Sequence, residues 1–533
     1  MLQCHGCLWF AIDAVQSLDV KIRKTSLITL PLLLAGFYFV VLFCHVVWHR
    51  IQYPVELELI EGSSVNHVLR IVQGEPMFIA PTFEFTPNLY TPLFYFAGAL
   101  VAPLTGVGFM GLRLVSVLAV VGTVLLIACF VYRETSSRTG AFIAASTYLA
   151  TYAASGGWMD LARVDSLFVL LLWAGIYGLR YAESLSAQLA TALVCVLAFY
   201  AKQSALIAVT PLLLYPVWMS ATGKHRLWLP FAFITGLLFS LGLVDWMTDR
   251  WFTYYTIVMP AGHPNNSRNE SEFWLHDLIQ VMPVAIIFAA GLILAALKQP
   301  KKYDAIFLVL LIFSTGLCAY LTRINKGGYY NNLMPFYATL SLCVGLFIGK
   351  VLESGKNRAG LLLMVVGAGL LQFWLLSYNP KDYMPQEQDW QESRQLLSEL
   401  KTLHGNIYAP DFGFLGYLVG KQTLLHSTSY EDIRLSRYQY WANTDLHLVV
   451  ENKLDFMMRG IARNHVNALV LVNDSADAPE PQMGDFVLKK HYISTLRTQA
   501  WSDSTFWFRS WPMRTMYHRP DVLLYVREPA NGL

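Results

Sequence analysis

The sequence predicts a polytopic α-helical membrane protein of about 11 transmembrane helices, with juxtamembrane or re-entrant helices and a small C-terminal extracytoplasmic α/β domain. Three observations carry this reading. The 533 residues are 55% hydrophobic and 14% charged, against about 25% charged in a typical soluble domain, and the mean hydropathy is +0.42. Long apolar runs follow one another from Ser26 to Leu376, and the chain turns polar after Asn379.

Eleven runs read as spans: Ser26–Trp48, Leu112–Tyr132, Ala141–Ser155, Val164–Tyr181, Ala187–Tyr200, Ser204–Met219, Leu227–Trp246, Leu278–Leu297, Ala305–Leu321, Leu333–Gly349 and Ala359–Leu376. The first follows Lys21, Arg23 and Lys24 and reads as a signal anchor. A further stretch, Pro92 to Met110, is interrupted by Pro103, Gly106 and Gly108. The positive-inside rule decides its role. If it does not cross, the basic loops Arg133/Arg138, Lys224/His225/Arg226, Lys298/Lys301/Lys302 and Lys350/Lys356/Arg358 all share the side of the basic N-terminus. That side is then the cytoplasm, and Pro92–Met110 is an interfacial or re-entrant helix. The loop 49–91, the segment Thr248–Asp277 and the tail 379–533 lie outside the cell's inner or plasma membrane. The chain divides into a membrane domain, 1–378, and an extracytoplasmic domain, 379–533.

In the tail, β-like runs at Asn406–Ala409, Ala468–Val472 and Val522–Val526 alternate with a helical stretch at Trp390–Leu403. Asp474–Gly484 reads as a surface turn. The cysteines Cys44, Cys129, Cys195, Cys318 and Cys343 sit in apolar runs as small hydrophobes. Cys4-His5-Gly6-Cys7 lacks a second ligand pair and is not expected to hold a metal. The net charge of +3 says little by itself, and no nucleic-acid partner is expected.

The polar chemistry gathers in the outer loops. Ser63–Gln73 has helical periodicity, with Val65, Val68, Leu69 and Val72 on one stripe and Gly74 and Pro76 closing it. Glu61 projects onto that apolar stripe at the helix N-terminus, where the dipole favours a carboxylate. An acid turned to a protein–membrane boundary calls for a partner or a task. Glu56 and Glu58 are expected to be solvated, Asp160 to be a loop residue, and His263 and His276 to be ordinary loop residues. Arg163 and Asp165 stand at the lip of a span, and Lys202-Gln203 sits between two apolar runs. Arg323 to Asn332, with Lys326 beside two glycines, opens the next inward span. Acidic and basic groups on one face suit the transfer of a glycosyl group from a lipid phosphate, with a carboxylate as base and cations on the departing phosphate.

Glu61-Gly62, Gly74-Glu75-Pro76-Met77-Phe78, Tyr90-Thr91-Pro92-Leu93-Phe94-Tyr95, Gly111-Leu112-Arg113-Leu114-Val115-Ser116, Ala162-Arg163-Val164-Asp165-Ser166-Leu167, Lys202-Gln203, and Lys326-Gly327 with Asn331-Asn332 and Pro335 follow in order. In this succession the sequence resembles the GT-C superfamily of membrane glycosyltransferases, which includes protein O-mannosyltransferases and lipid A aminoarabinose transferases. Ile60-Glu61 stands where many relatives carry an Asp-Glu pair, and Thr91 stands in place of the first proline of their Pro-Pro-Leu element. The resemblance implies a GT-C fold, a polyprenyl-phosphate sugar donor, an external active site and inverting transfer to a hydroxyl acceptor on a lipid, glycan or protein. It implies Glu61 as leading base and Asp165 as second. Arg163, Lys202, Gln203, Lys326, Tyr90 and Asn331 are implied at the donor phosphate and substrate. No cofactor is required, and there is room for a divalent metal. The alternative is a transporter or flippase of a lipid-linked glycan, which would be expected to bind near the bilayer midplane. The crowding of polar groups on one face argues against it.

Overall fold

The structure, a computed structural model, describes residues 5–221, 226–299, 303–353, 359–436, 459–473, 486–493, 498–499, 517–518 and 521–527. Cys4 of the Cys4–Cys7 motif, the basic residues Lys224, His225, Lys301, Lys302, Lys356 and Arg358, and the turn Asp474–Gly484 fall outside them.

All eleven apolar runs coincide with helices. In order these begin with α1 (His5–Ile51), α2 (Glu61–Gln73), α3 (Leu93–Thr105), α4 (Phe109–Thr135), α5 (Arg138–Ala150), α6 (Asp165–Tyr181), α7 (Leu185–Ala201), α8 (Ala205–Leu212), α9 (Leu214–Ala221) and α10 (Trp228–Met247). Then come Pro283–Leu297, Tyr303–Ile324, Met334–Glu353 and Ala359–Leu375. Among the described residues six helices are long and apolar enough to cross a membrane, and a pair bent by 79°, Ser267–Ile279 with Pro283–Leu297, makes a seventh if counted as one span. The chain is a multi-pass membrane protein. On α10 the exposed residues include Phe231, Leu238, Phe239 and Trp246, a surface that lipid covers and water would not tolerate.

Two stretches show what helix-breaking residues do to an apolar run. The run Ser204–Met219 is two helices, α8 and α9, parted at Leu213. Pro216 removes the N–H that would bond the Leu212 carbonyl, and its ring crowds that turn. The stretch Pro92–Met110 yields the 13-residue α3, which ends at Gly106. At 1.5 Å per residue α3 is roughly 20 Å long, shorter than the hydrocarbon core.

After the last of these helices the chain builds β1 (Asn406–Tyr408), β2 (Val466–Asn473), β3 (Phe486–Ile493), β4 (Thr498–Gln499), β5 (Tyr517–His518) and β6 (Asp521–Arg527). Four strands form one sheet in the order β1-β2-β6-β3, while β4 and β5 pair separately. β1 and β2 run parallel, and β6 pairs antiparallel with both β2 and β3. The helix Glu387–Thr402 starts at a reciprocal capping box between Gln386 and Asp389. Its Leu396 and Leu400 pack on Ile407, Ala468 and Val470 of the sheet. Phe83 of the first loop joins a further cluster with Tyr408, Tyr430, Val466 and Leu469. The C-terminal part is therefore fastened to the membrane part through apolar packing.

In the membrane part, α5 and Met334–Glu353 approach closely through Gly140 and Gly345, where a Cβ on Gly140 would stand 2.7 Å from the Gly345 carbonyl oxygen. Backbone on both sides leaves no side chain to yield. Gly140→Leu should cost about 1–3 kcal/mol, seen as a lower melting temperature in detergent. A melting temperature equal to wild type would show that the two helices do not meet there.

Candidate active site

The site starts from a carboxylate that the fold cannot leave bare. Glu61 is the first residue of α2 and is fully buried, as is Arg113 in the first turns of α4. Glu61 Oε1 accepts from Arg113 Nε at 3.0 Å and from the Ala162 N–H at 2.7 Å. Its Oε2 accepts from Arg113 Nη2 at 2.6 Å and from the Leu57 N–H at 2.7 Å. The remaining guanidinium protons go to the carbonyls of Arg50, Tyr53 and Val55. All five Arg113 donors and about four carboxylate acceptor positions are thereby used. Burial pushes the Glu61 carboxyl up, but Arg113 and the two backbone N–H groups hold it below the usual carboxylate range. α2 ends on Gly74 at φ 73°, with the Gly74 and Glu75 N–H groups returned to Ile71 and Arg70, the geometry of a glycine cap.

One turn before Glu61, Glu58 faces the cleft. Arg163 Nη1 lies 2.9 and 2.8 Å from the two Glu58 oxygens, and its Nη2 donates to the Tyr90 hydroxyl at 2.8 Å. The same guanidinium sits 4.7 Å from the Trp158 ring centroid and 5.4 Å from that of Tyr90, within cation–π range. Burial raises the Glu58 carboxyl, against the pull of Arg163.

Beside this group lies a second charge pair. Lys202 Nζ is 2.6 Å from Asp165 Oδ1 and 2.8 Å from Asn332 Oδ1. Asn331 Nδ2 donates to the same Asp165 oxygen at 2.9 Å. Gln203 Nε2 is tied to the Leu89 carbonyl at 2.7 Å. These bonds fix which way each amide points, and they leave Asp165 Oδ2, Asn331 Oδ1 and Gln203 Oε1 buried with no hydrogen-bond partner. Two of these orphan acceptors, on Asp165 and Asn331, belong to side chains that bond each other, and Gln203 is the chain neighbour of Lys202. All three match a ligand rich in hydroxyl groups.

The C-terminal part closes the site from above. His426 Nε2 pairs with the Leu59 carbonyl at 2.7 Å, and Ser429 donates to Asn88 at 2.7 Å. Asn88 also accepts from Ser63 at 2.7 Å, and its N–H donates to His67 Nε2 at 3.1 Å. Burial drives both His67 and His426 down to about 4, so both imidazoles are neutral structural posts. The buried Glu56 accepts from the Phe414 N–H at 3.3 Å.

The structure brings Arg163, Tyr90, Asp165, Lys202, Gln203 and Asn331 together. Glu61 lies beneath them, locked to Arg113. Lys326 is exposed, and among the described residues its side chain makes no ion pair. Three loop expectations are corrected. Glu56 and Glu58, expected in water, are buried or nearly so, because α2 and the 412–414 segment fold over them. Asp160, expected as an open loop residue, is a buried partner of Arg50 at 2.9 Å and of the Tyr152 hydroxyl at 3.0 Å. His263 reaches the backbone of the C-terminal helix Ser427–Leu435, its Nε2–H donating to the Asp432 carbonyl at 2.8 Å. Thr91, the departure from the Pro-Pro-Leu element, donates its hydroxyl to the Phe199 carbonyl at 2.9 Å and so ties the turn to α7. Arg113 carried a usable signal, a charge inside an apolar run. Asn332 stood in the Asn331-Asn332 pair, and Asp432 carried no signal. Among the described residues no cluster of three or more His, Cys, Asp or Glu is arranged to hold a metal ion.

The backbone superimposes on ArnT from Cupriavidus metallidurans bound to undecaprenyl phosphate with a TM-score of 0.53 at 12% identity, over 93% of this chain and 98% of that one. The chain has the GT-C fold. The apo state of the same ArnT gives a TM-score of 0.46 at 14% identity, over 92% of this chain and 98% of that one. The archaeal oligosaccharyltransferase AglB from Archaeoglobus fulgidus, in complex with an inhibitory peptide and a dolichol-phosphate, gives 0.47 at 10% identity, over 84% and 69%. No family model and no curated protein matches the sequence.

In this GT-C fold the Glu61–Arg113 pair is a structural brace. Glu61→Gln or Arg113→Met should each destabilise the protein by about 3–5 kcal/mol, since one buried charge is left alone. Thermal unfolding in detergent checks this, and a wild-type midpoint for either variant would refute it. Glu56 gives a pH-dependent counterpart. Burial pushes its carboxyl from 4.5 up to about 7, above its unfolded value. Its contribution to stability is therefore full below 4.5 and is lost as the pH rises through about 7. The melting temperature of wild type should fall relative to Glu56→Gln across that window, and parallel curves would contradict the assignment.

Proposed function

We propose that the chain is a glycosyltransferase that moves a sugar from a polyprenyl-phosphate-linked donor to a hydroxyl acceptor, with inversion, at the external face of the membrane. The observation that carries this is the pair of buried oxygens on Asp165 and Asn331 beside the Lys202 ammonium, unpartnered among the described residues, with a third on the neighbouring Gln203. Such oxygens call for hydroxyl donors, and the neighbouring cations call for an anion. A sugar phosphate supplies both. The GT-C fold, and the undecaprenyl phosphate bound to ArnT, support a lipid-phosphate donor. The positive-inside argument supports a cytoplasmic N-terminus and an external site, with 379–533 as the extracytoplasmic domain.

The roles follow from which groups are free. Glu61 has no lone pair left for an incoming proton, so we assign it to bracing and assign the base to Asp165. Its Oδ1 is held by Lys202 and Asn331, while Oδ2, buried and without a donor among the described residues, is left to take the proton. The acceptor oxygen attacks the anomeric carbon and the carbon–oxygen bond to phosphate breaks. That electron pair stays on the phosphate oxygen, and the acceptor's proton goes to Asp165 Oδ2. Lys202 and Arg163 face the developing phosphate charge, exchanging part of their hold on Asp165 and Glu58 for it. Tyr90, Gln203 and Asn331 orient the sugar. Lys326, at the rim, attracts the anionic headgroup. One consequence is that a phosphate can compete for Arg163 without leaving Glu58 bare, because the Ile60 N–H still donates to Glu58 at 3.0 Å.

The test is transfer from undecaprenyl-phosphate sugars by purified protein. Asp165→Asn should lower the rate by at least ~100-fold, the usual weight of a positioned base, in a protein that still folds although Lys202 has lost its buried ion-pair partner. Wild-type transfer by a folded Asp165→Asn protein would remove Asp165 from the mechanism. A wild type that releases no sugar from any polyprenyl-phosphate donor would remove the function.

A further inference from the structure

The catalytic cleft has a fourth carboxylate that neither the brace nor the two ion pairs account for. Asp432 lies on the C-terminal helix Ser427–Leu435. Three separate contacts press the helix onto the cleft: His426 on Leu59, Ser429 on Asn88, and His263 on the Asp432 carbonyl. Ile433, the next residue, is buried in the main core of the membrane part. The position of Asp432 is thus set by both parts of the protein.

Its side chain is half-buried and, among the described residues, makes no hydrogen bond or ion pair. The groups that act on it or feel it are Arg163, Glu431, Tyr90 and Tyr329. Three of these four also ring the proposed donor site: Arg163 bonds Tyr90, and Tyr329 stacks on Trp158 at 5.7 Å. Glu58 and Asp165 are already engaged, by Arg163 and by Lys202. Asp432 has no such partner among the described residues and stands near enough to Arg163, Tyr90 and Tyr329 for their charges to act on one another.

We propose that Asp432 is an acceptor-binding residue, contributed by the C-terminal part, that hydrogen-bonds a hydroxyl of a polyhydroxylated acceptor opposite Arg163 and Tyr90. This rests on the glycosyl-transfer reading of the site. The alternative task, holding the donor phosphate, is disfavoured by charge, since a carboxylate facing a phosphate repels it. Burial also pushes the Asp432 carboxyl up to about 7, with Glu431 acting in the same direction and Arg163 against it. Near neutrality it can therefore donate as well as accept, which suits a hydroxyl partner. Substrate specificity of this kind would make the C-terminal part a wall of the active site.

The two halves of the reaction can be read separately. Donor cleavage to water reports the donor site, and transfer to a polyol reports both sites. With an undecaprenyl-phosphate sugar that the wild type cleaves, and glycerol and methyl glucoside as acceptor probes, Asp432→Ala should raise the acceptor KM by ~10-fold or more, the loss expected for a hydrogen bond to a charged group. Hydrolysis and the donor KM should stay within about twofold of wild type, because the donor contacts are untouched. Asp432→Asn, which keeps a donor and an acceptor, should recover part of the loss. Glu431→Gln, on the same helix, should match wild type. An unchanged acceptor KM in Asp432→Ala overturns the proposal, as does an equal loss of hydrolysis and transfer in a protein that still melts like wild type. Neither result touches the glycosyl-transfer reading, which fails instead if the wild type cleaves no donor.

Discussion

The buried pairing of Glu61 with Arg113 is the constraint on which the cleft depends. The guanidinium gathers the carbonyls of Arg50, Tyr53 and Val55, while the carboxylate gathers the N–H groups of Leu57 and Ala162. The end of α1, the start of α2, the first turns of α4 and the loop before α6 therefore converge on one ion pair. Breaking such a pair leaves a stranded charge, which is far costlier than never having made it. The payoff is geometric. Glu58 lies one turn upstream of the brace, and Arg163 and Asp165 lie just downstream of Ala162. Fixing Leu57 and Ala162 on one carboxylate fixes the spacing between the two walls of the cleft.

Around that brace the site is built from charges whose mutual attraction is incomplete. Arg163 is shared between Glu58, Tyr90 and the Trp158 ring, and Lys202 between Asp165 and Asn332. Each cation has a home in the resting protein, so no bare charge sits in a low-dielectric space. Each can still turn part of its hydrogen bonding to an anion. The oxygens left without donors on Asp165, Asn331 and Gln203 complete the pattern. The cost of leaving them unpaired, about 1–3 kcal/mol apiece, is a stability the protein forgoes until something with hydroxyl groups arrives.

The C-terminal part is integral to this arrangement. Phe83 of the first loop is buried among Tyr408, Tyr430 and Leu469, and Phe414 and Ile433 belong to the main core. Asn88 joins Ser63 and the His67 imidazole on one side to Ser429 on the other. Local opening of the cleft would have to break these contacts together.

The sequence by itself determined the membrane character, the position of every apolar helix to within a few residues, and three of the strands in the tail. Hydrophobic periodicity and local charge placement encode these, because each depends on residues near one another in the chain. The break in Ser204–Met219 is local too, since Pro216 by itself accounts for it. Tertiary structure alone decided what each acid does. Glu61 was singled out correctly as an acid turned inward, but its partner lies 52 residues away. Local periodicity cannot tell a braced carboxylate from a free one. Glu56, Glu58 and Asp160 looked solvated because the segments that bury them come from distant parts of the chain. Asp432 acquires its surroundings from Arg163, Tyr90 and Tyr329, all more than a hundred residues earlier. A local stretch of sequence can show that an acid faces inward; which charge it meets there is settled only when the distant segments pack.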